Sequence, residues 1–196
     1  IHAVKIGMVA STALIETIAD TLTQLDLPPV VLDPVMISKS GYPLLHEAAQ
    51  NALVRLLFPL AEVVTPNIHE AEILIKRPIE TLGAMKDAAG DILALGARKV
   101  VVKGGHLGDA QATDILYDGK DFQELTGERI ETRNTHGTGC TFSSAIAANL
   151  ARGHAFFDAV ARAKTYINGA IAHSLDIGQG TGVPRRKPAT TPGAVR

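Results

Sequence analysis

Short, wholly apolar runs separated by helix-length amphipathic stretches constrain this chain more than any other feature. Val30-Val31-Leu32 and Val100-Val101-Val102 show no polar alternation, which is the pattern of strands covered on both faces. Residues 4–9 and 62–65 read as two further strands. After the first, Ser11 or Thr12 caps a helix in which Leu14, Ile18, Leu22 and Leu25 recur at helical spacing, ended by Pro28-Pro29. A second helix over about 47–57 turns Ala49, Ala52, Leu53, Leu56 and Leu57 inward and stops at Pro59. A short helix over 68–75 follows, then one that starts at Thr81, carries Met85, Ala88, Ile92 and Leu95, and ends before Gly96. Strands alternating with helices predict an α/β fold: a mostly parallel sheet with helices on both faces. Residues 113–117 and 122–125, joined by Asp118-Gly119-Lys120-Asp121, read instead as a hairpin.

The C-terminal part is helical, over about 141–151 and again where Phe156, Val160, Ala163, Ile167, Ile171 and Leu175 share one face. From Gly178 the chain is rich in Gly, Pro, Arg and Thr, so 1–182 is expected to be one domain and 183–196 a disordered tail. With 196 residues, 46% of them hydrophobic, a single core of good size is available. The formal net charge of -1 gives no basic surface for nucleic acid. One cysteine makes no intrachain disulfide, no apolar run approaches the ~20 residues of a membrane span, and no signal pattern opens the chain. A cytoplasmic protein is expected. The chain enters its first strand almost at once from Ile1, as if in mid-fold, so an absent N-terminal part is also expected.

Ligands of such sheets collect at the carboxyl ends of the strands. Asp33, Asn67, Lys103 and the turn around Gly137 all follow a strand or join a strand to a helix, so four polar features are expected along one edge. Thr135-His136-Gly137-Thr138-Gly139-Cys140 joins a glycine turn to a helix and suits a phosphate, through inward N–H groups and the positive helix end. The same residues equally suit an ordinary turn with Cys140 as apolar packing. Asp33 can bind Mg2+ or position a metal-bound water, or simply begin an Asp-Pro turn. Asn67 with Glu70 forms a capping box that leaves Glu70 an oxygen for a metal-bound water. Lys103 before Gly104-Gly105-His106 puts a cation where a nucleotide phosphate can lie against bare backbone. Gly178-Gln179-Gly180-Thr181-Gly182 is at most a loop lining the site, and Ser143 and Ser144 lack the setting of a hydrolase nucleophile.

Asp33-Pro34-Val35-Met36, Thr65-Pro66-Asn67-Ile68-His69-Glu70-Ala71, Val102-Lys103-Gly104-Gly105-His106 and Asn134-Thr135-His136-Gly137-Thr138-Gly139-Cys140 occur in this order. Together they resemble hydroxymethylpyrimidine/phosphomethylpyrimidine kinase of thiamine biosynthesis, a ribokinase-like enzyme, over about 1–182. The resemblance implies an αβα sandwich, a homodimer, and ATP- and Mg2+-dependent phosphorylation of 4-amino-5-hydroxymethyl-2-methylpyrimidine and then of its monophosphate. It implies that Asp33 and Glu70 help hold Mg2+ and phosphate beside Asn67, that Lys103 contacts ATP phosphate, and that Thr135 lines the nucleotide site. Gly137, Thr138, Gly139 and Cys140 would form the anion hole, with Cys140 in place of the aspartate base of most ribokinase-like enzymes. Met8 and Val35 match positions lining the pyrimidine pocket. The family also has an N-terminal segment with a glycine-rich turn and polar pyrimidine contacts that this sequence does not contain, so its acceptor half is expected to be incomplete.

A thiol base requires a thiolate, which the helix N-terminus is expected to favour. A loose phosphoryl-transfer transition state asks little of the base, and a neutral thiol would repel an already phosphorylated acceptor less than a carboxylate would. The alternatives are a pyridoxal kinase of the same superfamily and a non-catalytic or inactive kinase-fold fragment. Substrate competition separates the first and Mg-dependent nucleotide binding the second. A redox role for Cys140 lacks a resolving cysteine.

Overall fold

The computed structural model describes residues 1–38, 41–105, 111–128, 132, 135–174 and 182–184, with the backbone alone for Gln111 and Glu128. Six strands form one sheet in sequence order: β1 (Val4–Ile6), β2 (Val30–Leu32), β3 (Val63–Val64), β4 (Val100–Val102), β5 (Gln111–Tyr117) and β6 (Phe122–Glu128). The first four are parallel. The last two return antiparallel as a hairpin, with Val102 opposite Ile115 where β5 meets β4.

The apolar strands are buried from both sides because their side chains alternate between two helical layers. Val30, Leu32, Val64, Val100, Val102 and Ile115 join a core with α1 (Thr12–Thr23), α2 (Glu47–Ala52), α3 (Ile68–Ile75) and α4 (Leu82–Ala94). Val31, Val63, Val101 and Leu116 face the other way, against α5 (Thr138–Ala151) and α6 (Phe156–Ala172). The chain is thus an α/β sandwich with helices on both faces of a mostly parallel sheet.

The structure corrects several expectations. β1 stops at Ile6, three residues short of Val9. α1 keeps its Ser11 cap, yet Leu14 is 54% exposed and the inward face is Ile15, Ala19 and Leu22, because Ile15 and Ala19 lie with Leu22 on the stripe that packs into the core beside α2 and the turns that continue it. Pro59 does not end the second helix: α2 passes through a π-helical turn over Leu53–Leu57 into a 3-10 turn over Phe58–Leu60, where proline occupies an initial position whose N–H needs no partner. α5 begins at Thr138, not about Thr141, which brings Gly139 and Cys140 into its first turn. Leu175, residues 178–181 and most of the expected tail, 185–196, lie outside the described residues, as do His106 and Asn134. Among the described residues no helix is long and apolar enough to cross a membrane.

Candidate active site

The carboxyl ends of β1 to β4 lie along one edge because those strands are parallel. β2 delivers Asp33 immediately after Leu32. β3 and β4 stay paired past their ends, where Asn67 bridges to Lys103 and the Lys103 N–H donates to the Pro66 carbonyl at 2.9 Å. Lys103 and Asp33 meet above the ends of β4 and β2, across the intervening β3: Lys103 Nζ donates to Asp33 Oδ1 at 2.9 Å. Thr65 Oγ1 donates to the same oxygen at 3.3 Å and Ser143 Oγ to Oδ2 at 3.2 Å, while Lys5 Nζ stands 3.8 Å from Oδ2. Asp33 is 1% exposed. Burial pushes its carboxyl up, but the Lys103 charge and hydrogen bond, with Lys5 and Ser143, outweigh that and hold it below the ordinary carboxylate value.

Asn67 and Glu70 close the N-terminus of α3 as the sequence predicts. The Glu70 N–H donates to Asn67 Oδ1 at 2.9 Å and the Asn67 N–H to Glu70 Oε2 at 2.8 Å. Glu70 is 2% exposed, and burial raises its pKa against the pull of Lys103. Lys103 itself is raised: burial lowers it, and the facing Asp33 and Glu70 charges more than compensate.

α5 starts differently. Gly137 is its N-cap at φ 77°, a left-handed conformation that glycine adopts without strain, and no side chain caps the helix. The Thr135 carbonyl accepts both Thr138 Oγ1 at 2.9 Å and the Thr138 N–H at 3.3 Å, and the His136 N–H donates to the Gly182 carbonyl at 3.1 Å. The first intrahelical bond runs from the Thr141 N–H to the Gly137 carbonyl at 2.9 Å. Among the described residues nothing accepts from the Gly139 or Cys140 N–H. Lys103 lies beneath this turn, so close that a Cβ on Gly139 would be 3.2 Å from its Nζ. A helix end, two unclaimed amides and an ammonium converge, an arrangement suited to a phosphate.

Cys140 is exposed, in the first turn of α5 on the Asp33 side of the site. Partial desolvation of the sulfur raises the thiol pKa, the Asp33 charge adds to it, and Lys5 and Lys103 offset only part. This corrects the expectation of a thiolate: the helix end is present, but the carboxylate behind the sulfur favours the neutral thiol. Met8 is 55% exposed just past β1, and Val35 is half-buried two residues after Asp33.

For Mg2+, the donor chemistry is mixed. Both Asp33 oxygens already accept hydrogen bonds, whereas Glu70 accepts from the Asn67 N–H and keeps lone pairs over. No cluster of three His, Cys, Asp or Glu is gathered among the described residues. The residues fit a Mg2+ that retains water and leans on phosphate, held through Glu70 with Asp33 behind water, but not one bound directly by Asp33 while Lys103 is in place.

Sequence reasoning missed Lys5, Thr65 and Ser143 as partners of Asp33. The signal for Lys5 was present, as a charge inside the three-residue strand Val4–Ile6. Nothing local marked Ser143, which is 110 positions from Asp33.

The chain is 49% identical over 185 residues to the hydroxymethylpyrimidine/phosphomethylpyrimidine kinase of Rhizobium meliloti, covering 93% of this chain and 69% of that one. It is 47% identical over 182 residues to a thiamine biosynthesis bifunctional protein of Geobacter sulfurreducens, spanning 93% of this chain but only 37% of the relative. In structure it is similar to the ADP complex of Bacillus subtilis pyridoxal kinase, with a TM-score of 0.87 and 39% identity over 95% of this chain and 69% of that one. The phosphomethylpyrimidine kinase family model matches residues 1–185, and the chain belongs to that family.

Proposed function

We propose that this site transfers the γ-phosphoryl group of ATP to the hydroxymethyl oxygen of 4-amino-5-hydroxymethyl-2-methylpyrimidine and then to the phosphate of the product. The observation that carries the reading is the Lys103–Asp33 pair beneath an uncapped helix start with Cys140 in its first turn. The Gly139 and Cys140 amides receive the equatorial oxygens of the transferring group, and the first turn from Gly137 to Cys140 forms the anion hole. Lys103 supplies the counter-charge and Asp33 keeps that ammonium in place. Thr135 shapes the turn on the nucleotide side, and Asn67 orients Glu70, which would hold Mg2+. Bound Mg2+ would neutralise phosphate charge.

Cys140 orients the acceptor hydroxyl as a neutral thiol. In a loose transition state the hydroxyl proton leaves late, after the oxygen has begun to bond to phosphorus and become acidic, and it passes to an oxygen of the transferred phosphoryl group or to solvent, so no thiolate is needed. Met8 and Val35 border the pyrimidine. Residues 1–182 form one catalytic unit on this reading, because the site draws on β1, β2, β3, β4 and α5. The family resemblance supports a cytoplasmic homodimer.

Incubating the protein with the pyrimidine and Mg-ATP and following mono- and diphosphate by 31P NMR tests this. Product formation that depends on Lys103 supports it, and absence of both nucleotide binding and product overturns it in favour of a non-catalytic fold. The likeness to a pyridoxal kinase favours pyridoxal as a second acceptor. Competition between the two acceptors decides which is preferred.

A further inference from the structure

Asp114 stands on the face of β5 that also carries Leu116 of the α5–α6 core, a position where a carboxylate is out of place. It is 4% exposed. Its Oδ1 accepts the Gly104 N–H at 2.9 Å, and its Oδ2 accepts Lys164 Nζ of α6 at 2.7 Å. The Lys164 ammonium also donates to the Ala112 carbonyl at 3.3 Å. β5 approaches β4 so closely here that a Cβ on Gly104 would lie 1.6 Å from the Thr113 carbonyl oxygen. The β4–β5 pairing ends at Val102–Ile115, and one further step in that register would set Asp114 across from Lys103.

Lys103 pairs with Asp33 and is drawn by Glu70, while a third buried carboxylate, Asp114, holds the backbone N–H of the very next residue, Gly104. We propose that the Lys164–Asp114 pair is a positioning device for nucleotide phosphate binding: Lys164 occupies Asp114, which grips the backbone after Lys103 without drawing its ammonium off the anion hole. A carboxylate left alone at that spot would be a strong competitor for the nearest cation, since an unpaired buried charge is costly. The inference rests on the assignment of Lys103 to phosphate, and it adds that two residues outside the site, on β5 and α6, set where that ammonium points.

The test is calorimetric binding of a Mg2+ complex of a non-hydrolysable ATP analogue, and of adenosine, to the parent, to Lys164→Met and to Lys164→Met/Asp114→Asn. Lys164→Met should lose about tenfold in analogue affinity and leave adenosine unchanged, and the double variant should recover most of the loss because the competing charge is gone. A merely structural pair would lower both affinities together and be worsened by the second substitution. That outcome overturns the inference, as does a folded Lys164→Met that binds the analogue like the parent. Should Lys164→Met not fold, Lys164→Gln, which keeps a donor for Asp114, is read in the same way with about threefold loss expected. A parent that binds adenosine but gains nothing from the phosphates would overturn the Lys103 assignment and this inference with it. A parent that does gain from them, with unaffected variants, overturns this inference alone.

Discussion

Two helices begin at the same edge of the sheet, and their first turns are built in opposite ways. α3 closes on itself: Asn67 and its third residue, Glu70, satisfy each other's backbone N–H. α5 leaves the corresponding groups open: its cap is Gly137, and its third residue, at the position Glu70 holds in α3, is Cys140. A self-capped end adds stability and has little left to offer a ligand, whereas an open end forgoes that stability and keeps its amides for an anion. Lys103 touches both, being drawn by Glu70 and Asp33 and lying under Gly139.

The strongest way to break this contrast is to remove the cation beneath the open end. Lys103→Ala should reduce Mg-ATP affinity about 100-fold or more, a loss of roughly 2.7 kcal/mol. It should also destabilise the fold by up to roughly 3–5 kcal/mol by leaving Asp33 buried with only the more distant Lys5. Calorimetry and denaturant unfolding read the two effects separately.

Cys140→Asp makes the third residue of α5 acidic, like that of α3. In an enzyme active on both acceptors, it should slow the second phosphorylation about tenfold more than the first, because a carboxylate repels the acceptor phosphate. Equal effects on the two steps, measured by rapid quench, would remove the role given to the neutral thiol. Gly139→Ala narrows the open end without adding charge. Its Cβ must push Lys103 aside, so nucleotide affinity should fall about fivefold while thermal stability holds or rises, alanine being the better helix former.

On the closed side, Asn67→Ala should cost about 1 kcal/mol of stability, roughly 2–4 °C in Tm for a chain of this size, with a smaller change in nucleotide affinity than Gly139→Ala. Nucleotide affinity falling further than stability would show that the α3 end also serves the ligand.

The smallest effect is in pH dependence. Glu70 has a folded pKa raised above the ordinary 4.5, so its contribution to stability is full below 4.5 and is lost as pH rises through the folded value. Asp33 has a folded pKa below the ordinary 3.8, so its contribution is present above 3.8 and lost as pH falls through the folded value. Glu70→Gln, which can still cap, should flatten the decline above 4.5 and leave the acid limb unchanged, as unfolding free energies across that range would show.

Much of this was legible in the chain. Valine runs fix buried strands because their period cannot leave a wet face, and Asn67 followed by Glu70 fixes a helix start because that box is made within four residues. The shared edge followed from parallel strands, and Asp33, Asn67 and Lys103 fell on it as expected. Where the reading slipped, in the inward face of α1, the continuation past Pro59 and the early start of α5, the deciding contacts were with the sheet or a neighbouring turn.

The sequence by itself therefore determined the alternation of elements, the strand ends that carry polar groups, and the chemical kinds of residue available there, because those depend on interactions within a few positions. Only the tertiary structure decided which groups meet. It put Lys5, Thr65, Lys103 and Ser143 around one carboxylate, favoured a thiol over the expected thiolate at Cys140 by partly desolvating it and setting Asp33 nearby, and tied Gly104 to α6 through Asp114 and Lys164. Those outcomes are electrostatic and depend on distance and burial, which no local pattern encodes.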